Sequence, residues 1–547
     1  MGQLPKDGMY NLVAIQPHFL MTTLLEYIEA PVLCIEPQRQ FSTVYDVYSS
    51  IIYDPSRSNV SNLVPITPLI DYKVIREWID LYVRNHWCDG IRREKTSTYD
   101  TNVRDLKVID CKNRLVGDLP TTASYVTLSY VWGKPDVHVP DQQSHIESPD
   151  SYFLSPSLPR TIEDAINVTL ALGYDYLWVD RYCLNKCSKH FHEQLRQMDK
   201  IYAGSALTLI AAAGSDGSYE LPGVSRQRVA NQPFYCGQRM LESTPVFTKE
   251  TLESTAWSSR GWTYQEGLLP SRRLVFSDTQ LYFQCQKRFR MEGWLGLEGI
   301  FAYRRASRME SLYDWLEELD SDIFPTATCN AMIILSRIEA FTKRSLTYES
   351  DVLNAMLRAF ASLRQDGGIP HSGLQHLWGL PYCGSDSYQY LSDTPVHVSC
   401  RKFVSNLSWD VDFPTRRRIG FLSWSWTGWV GTARWGKGLM VTDNGRIWRT
   451  RFALDTPCTV SLELQNGDII DWRNYQANYD LLGLDKDAPN TQLLSQYIHI
   501  SVYITRVMPL PMPQYVQGTS RCYYLKADLE SEHEDSPPIR VDIKSTA

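Results

Sequence analysis

This 547-residue chain has no apolar run long enough to cross a bilayer as a helix, which takes roughly 18 or more uninterrupted apolar residues. Its most apolar early stretch, residues 9–35, is broken by Gln16, His18, Glu26 and Glu29. No basic region precedes a clean apolar run, so no targeting segment is expected. An excess of basic charge is also missing: 55 Lys and Arg stand against 62 Asp and Glu, a net charge of −7. That balance gives no electrostatic reason to approach nucleic acid or anionic lipid. The one basic run, Arg416-Arg-Arg418, is short and reads as a solvated loop before the next strand. The 12 cysteines are scattered without the spacing of a disulfide framework, which predicts reduced thiols and a cytoplasmic protein. No internal repeat stands out.

Several catalytic signatures are lacking too. There is no Gly-x-Ser-x-Gly elbow to anchor a hydrolase triad, and His192-Glu193 lacks the second His of a zinc protease. Gly431 to Lys437 has Walker A spacing, but Gly438 follows where Ser or Thr would bind Mg²⁺, and an apolar strand replaces the helix. Cys183, Cys187, His190 and His192 fall within ten residues. The cysteine pair suits zinc, whereas two histidines at i and i+2 do not converge from a helix. A thiol at Cys183 packed beneath a strand end is the simpler expectation, and no metal site is predicted.

What the chain does have is the grammar of an α/β domain. From Leu158, Thr161 reads as a helix N-cap with Asp164 in the capping-box position. Ile162, Ala165, Ile166, Thr169 and Leu172 form the apolar stripe, and Gly173 supplies the stop. Tyr176 to Val179 is a short apolar run without alternation, as in a strand covered on both faces, and Asp180 ends it. Tyr125 to Gly133 reads as a strand ending in a Trp-Gly turn. Phe191 to Tyr202 has helical spacing, and Ala206 to Ala213 is a further buried strand. Alternating strands and helices predict a parallel sheet. Its strand ends gather Ser129, Tyr130, Trp132, Asp180, Arg181 and Ser215 on one rim, where open α/β sheets take ligands.

The remainder reads more coarsely. Residues 1–105 form a mixed N-terminal segment whose Ile75, Trp78, Ile79 and Tyr82 make a helical stripe. Residues 106–290 form the main domain, closing on a hairpin of Arg273–Phe276 with Gln280–Gln284. Residues 291–547 turn from helical (Leu312 to Leu319, Leu353 to Phe360) to β-rich, with Ile498, Ile500, Val502 and Ile504 alternating. Trp424 and Trp426 share one face of an alternating stretch and are expected in the core. Arg260 and Glu266 read as a buried pair that fixes a helix against the sheet.

These segments, in this order, resemble a known family. Tyr125–Gly133, Leu158–Ile166, Tyr176–Asp180, Met198 with Ile201-Tyr202, and Arg260-Gly-Trp-Thr-Tyr-Gln-Glu266 look like the ordered blocks of the fungal HET (heterokaryon incompatibility) domain. The resemblance implies a role in fungal nonself recognition and programmed cell death. It also implies a TIR-like, flavodoxin-like sheet, and some TIR domains hydrolyse NAD. The chain departs from the family after Asp180. Cys183 and Asn185 match, Lys186 and Cys187 do not, and a family acid expected near His190 finds its nearest carboxylate at Glu193. The expectation is a non-catalytic signalling module with a protein partner or self-association. The alternative is an NAD(P)-hydrolysing effector. Asp180 or Glu193 would then stabilise an oxocarbenium-like state, with Tyr130 and Trp132 for stacking, Arg181 or Arg260 for phosphates, and Ser129 and Ser215 on the rim. Cys183 and Glu266 are assigned structural roles.

Overall fold

A computed structural model describes residues 10–15, 32–37, 50–53, 65–84, 103, 106–133, 146–148, 151–184, 197–228, 234–236, 238–245, 249–285 and 289–293 of the first half. Beyond them it describes 331–357, 360, 374–383, 400, 403–404, 406–407, 409–411, 415–435, 438–441, 447–450, 459–477, 494–502, 507–509, 525–527 and 539–544. The chain divides into two units, Met1–Thr326 and Ala327–Ala547.

Among the described residues, the first unit is built on a ten-stranded sheet. Its strands are β1 (Lys107–Asp110), β2 (Leu115–Asp118), β3 (Tyr125–Ser129), β4 (Ile146–Ser148), β5 (Ser151–Phe153), β6 (Tyr176–Trp178), β7 (Leu207–Ala211), β8 (Arg272–Phe276), β9 (Leu281–Cys285) and β10 (Phe289–Met291). Their spatial order is β10-β9-β8-β7-β3-β6-β1-β2-β5-β4. The three strands read from the sequence pair in parallel, β6 with β3 and β3 with β7, and β8 extends them as a fourth. The sheet is not purely parallel, however. Antiparallel strands flank the centre on both sides, and β8 and β9 form the expected hairpin. Every residue of β3, β7, β8 and β9 is buried, which explains why these strands show no alternation. The hydroxyls of Thr127 and Thr208 meet at 2.7 Å across β3 and β7, so two polar groups in the core satisfy each other.

The helices of this unit include α1 (Tyr72–Arg84), α2 (Arg160–Ala171), α3 (Asp180–Cys183), α4 (Met198–Gly204) and α5 (Trp262–Leu268); a further short helix spans Lys249–Glu253. Ile75, Trp78 and Ile79 of α1 lie in the same hydrophobic core as the sheet. The Trp78 ring sits 6.4 Å from that of Phe283 on β9. Helix α2 stops at Gly173, φ +87°, as its sequence predicts. Its start differs from the capping box expected of Thr161 and Asp164. Pro159 occupies the cap position and makes no side-chain cap bond. Thr161 is buried, and its amide donates to Gly217 O at 3.0 Å. Asp164 instead accepts from Leu221 N at 2.7 Å and from the Ser225 hydroxyl. A loop distant in sequence has taken over the capping groups. A second sheet of the same unit pairs Tyr10–Ile15, Val32–Pro37 and Ser50–Tyr53 with Arg239–Pro245 and Phe234–Cys236, all antiparallel.

Among the described residues of the second unit, the first element is α6 (Ala331–Thr342) and most of the others are strands. Leu374–Leu377 and Leu380–Cys383 form a hairpin whose two turn residues, Trp378 and Gly379, both have positive φ (52° and 86°), as a type I′ turn requires. Trp424 and Trp426 are buried, as expected, but they do not lie on a strand. The stretch is a turn leading into a 3-10 turn, Trp426–Gly428, capped by Ser425. The arginine run is likewise no solvated loop. Arg416 and Arg417 pair as a short strand with Trp429–Val430. Arg417 donates to Gly428 O and Phe421 O, and Arg418 is buried. Burial draws the Arg418 guanidinium down to about 10. Toward the end, Ile498 and Ile500 face the core of a four-stranded antiparallel sheet, in keeping with their alternation. Leu312 to Leu319 lie outside the described residues.

Candidate functional site

The chain leaves β3 for β6 on one side and later returns to β7 on the other, so the strand order reverses at β3. The carboxyl ends of the strands beside such a reversal are where open α/β sheets take ligands. Ser129 closes β3, Asp180 opens α3 two residues after β6, and Ser215 follows β7. The loops after β3 and β7 come very close. A Cβ on Gly133 (φ +83°) would lie 2.5 Å from Cβ of Asp216, so only glycine serves there.

Beneath this rim lies a buried network. The Ser129 hydroxyl donates to Glu266 and accepts from Trp257 Nε1 at 2.7 Å. Glu266 is buried, and its carboxyl is pushed up to about 7, first by burial and then by the nearby Asp180 charge. The Ser129 bond, Arg260 and Tyr202 oppose that rise. Asp180 is held from the side: Trp132 Nε1 lies 3.0 Å from both carboxylate oxygens, and Arg181 N donates at 2.7 Å. Arg260 donates to Tyr130 O at 3.0 Å, tying the turn before α5 to the turn after β3. Tyr202 on α4 donates to Leu128 O at 3.3 Å. Burial carries both the Tyr130 and Tyr202 phenols well above 10, so both stay neutral. The Thr263 hydroxyl is 2.7 Å from both Trp257 O and Arg260 O, which orders the turn into α5.

The structure thus gathers Ser129, Tyr130, Trp132, Asp180, Arg181, Arg260 and Glu266. Ser215 stands at the same rim, exposed. Cys183 lies beneath the end of β6, where Val179 N approaches its sulfur at 3.4 Å. Burial pushes its thiol up to about 12, which makes it a packed, neutral group. Glu193, Cys187, His190 and His192 fall outside the described residues. Among the described residues, no group of three or more His, Cys, Asp or Glu side chains is placed to hold a metal ion. Two members of the network were not legible as such. Trp257 precedes the Arg260–Glu266 motif by three residues, and Tyr202 reads in sequence as part of an apolar stripe and of a family block, neither of which names a polar partner.

Residues 125–266 match the family model described as heterokaryon incompatibility protein (HET). This is a HET-domain protein. The match begins on the first residue of β3 and ends on Glu266, so it contains every residue of the rim and of the network beneath it. The sheet in which the HET match is embedded is larger, because β1, β2 and β8 to β10 lie outside the matched span. No curated protein and no solved structure matches the chain.

Proposed function

We propose that this protein acts in nonself recognition and the programmed cell death that follows, with its HET domain as a TIR-like signalling module that turns over no substrate. The family match supports the biological setting. The order of the four parallel strands, second-first-third-fourth in chain sequence, supports the flavodoxin-like and TIR-like reading. The observation that carries the module over an enzyme is the state of the rim. Its carboxylates and Arg260 are engaged with each other's neighbourhoods: Asp180 with Trp132 and Arg181 N, Glu266 with Ser129, Arg260 with the Tyr130 carbonyl. Groups held this way brace loops. Such braced loops suit docking to a protein partner or to a second copy in the cytoplasm, without nucleic acid or membrane.

The competing reading, hydrolysis of NAD or NADP with Asp180 or Glu193 as the charge that stabilises an oxocarbenium-like state, needs a carboxylate facing the ligand. Expression of the full chain in a fungal host separates the two. Under the module reading the wild type kills, and the Asp180→Asn/Glu193→Gln double variant, present at equal level, kills as well. Depletion of cellular NAD by the wild type, with both killing and depletion lost in that double variant, would contradict it.

A further inference from the structure

Helix α5 is only seven residues long, yet it packs on both β3 and α4 and carries the carboxyl that closes the network under the rim. Its outer end is well anchored, since Arg273 on β8 donates to Gly267 O and, at 2.7 Å, to Leu268 O. Its inner attachment is different in kind. Glu266 meets a hydroxyl from β3, Ser129, and the phenol of Tyr202 from α4. From α3 it faces the Asp180 charge, and from the preceding turn it faces Arg260, whose guanidinium is partly committed to the Tyr130 carbonyl. A second negative charge placed here is buried and sits beside Asp180, so the closed arrangement favours a protonated carboxyl. If α5 lifts, Glu266 reaches water and regains an ordinary acidity.

We propose that Glu266 makes the docking of α5 on β3 a proton-operated latch, tightened by acid and loosened toward neutral pH, which sets how firmly the loops bearing Tyr130, Trp132 and Arg260 are held. The inference stands independently of whether the domain turns over a substrate. The direction follows from linkage. The closed form binds the Glu266 proton up to about 7, while an open form releases it above the usual value of 4.5. Opening therefore expels a proton between those two values and is proton-neutral above them. The opening constant should rise by about tenfold per pH unit across that window and level off beyond it.

Amide hydrogen exchange on the full-length protein, read by mass spectrometry on peptides covering 262–268 and corrected for intrinsic rates, tests this between pH 5 and 8. The wild type should lose protection in this segment as pH rises from 5 to 7, by roughly tenfold per unit, and then plateau. Glu266→Gln, which mimics the protonated acid, should show a flat profile in the same peptides. Asp180→Asn provides a second measurement that does not alter Glu266 itself. With the neighbouring charge gone, the plateau should be reached at a lower pH and the total change should shrink. A wild-type profile that is flat across the range would overturn the proposal. So would a slope unchanged by both substitutions.

Discussion

At the scale of single residues, the informative group is Glu266. Read from sequence, it is one half of a buried pair with Arg260, and replacing it should weaken the fold. The structure gives it a hydroxyl partner, a neighbouring Asp180 charge and a carboxyl raised to about 7. A group raised in this way contributes stability that is fully present below its unfolded value of 4.5 and lost as pH rises through about 7. At about 1.4 kcal/mol per pH unit, the gap between 4.5 and about 7 amounts to about 3–4 kcal/mol. Urea unfolding of the first unit should therefore show Glu266→Gln about as stable as wild type at pH 5 and more stable at pH 8. A variant less stable at both pH values would restore the ion-pair reading. Asp180 was legible because a strand end advertises itself in sequence. The surroundings of Glu266 were not, because Ser129, itself held by Trp257, comes from a strand 137 residues away and Tyr202 from another helix.

Among the elements, buried strands were easier to read than their ends. A continuous apolar run such as Leu207–Ala211 has one physical meaning, burial on both faces, and the structure agrees. Caps and turns depend on partners that local sequence does not name. Thr161 and Asp164 look like a capping box, yet Gly217, Leu221 and Ser225 claim them. In the second unit, Trp424 to Trp429 mimics alternation, but Ser425, Trp426 and Thr427 all bind the turn between the two hairpin strands. Ser425 and Thr427 donate to Trp378 O at 2.5 and 3.2 Å, and Trp426 donates to Gly379 O at 2.8 Å. That turn leaves no space for a side chain at Gly379. A Cβ there would sit 2.9 Å from both Thr427 Cγ2 and the Trp426 ring, on a backbone with φ +86°. Gly379→Ala should destabilise the second unit by about 1–3 kcal/mol, seen as a lower thermal midpoint. An unchanged midpoint would show that the clamp is loose.

For the whole molecule, the composition bounded the answer and the family blocks narrowed it. Neither revealed how the first unit is tied together. Among the described residues, α1 shares the core of the sheet, and a buried ion pair joins segments far apart in sequence. The Arg228 guanidinium, with no side-chain exposure, bridges Glu292 and donates to Thr67 O at 2.8 Å. Glu292 also accepts from Leu281 N at 3.1 Å. Linear sequence reading has no access to such a knot, because none of its members carries a local pattern. Removing one partner strands the other charge, so Arg228→Ala should cost about 3–5 kcal/mol in chemical unfolding of this unit. A loss under about 1 kcal/mol, the level of a solvent-exposed pair, would mean the knot is open to water.

We place the function at the rim formed by the carboxyl ends of β3, β6 and β7, where Trp132 holds Asp180 and Arg260 ties down the Tyr130 carbonyl. The most direct measurement is nicotinamide release by the purified full-length protein incubated with NAD and with NADP. The module account predicts no release above the protein-free control, in wild type and in Asp180→Asn alike. Sustained release by the wild type, abolished by Asp180→Asn or Glu193→Gln with folding intact, would contradict it.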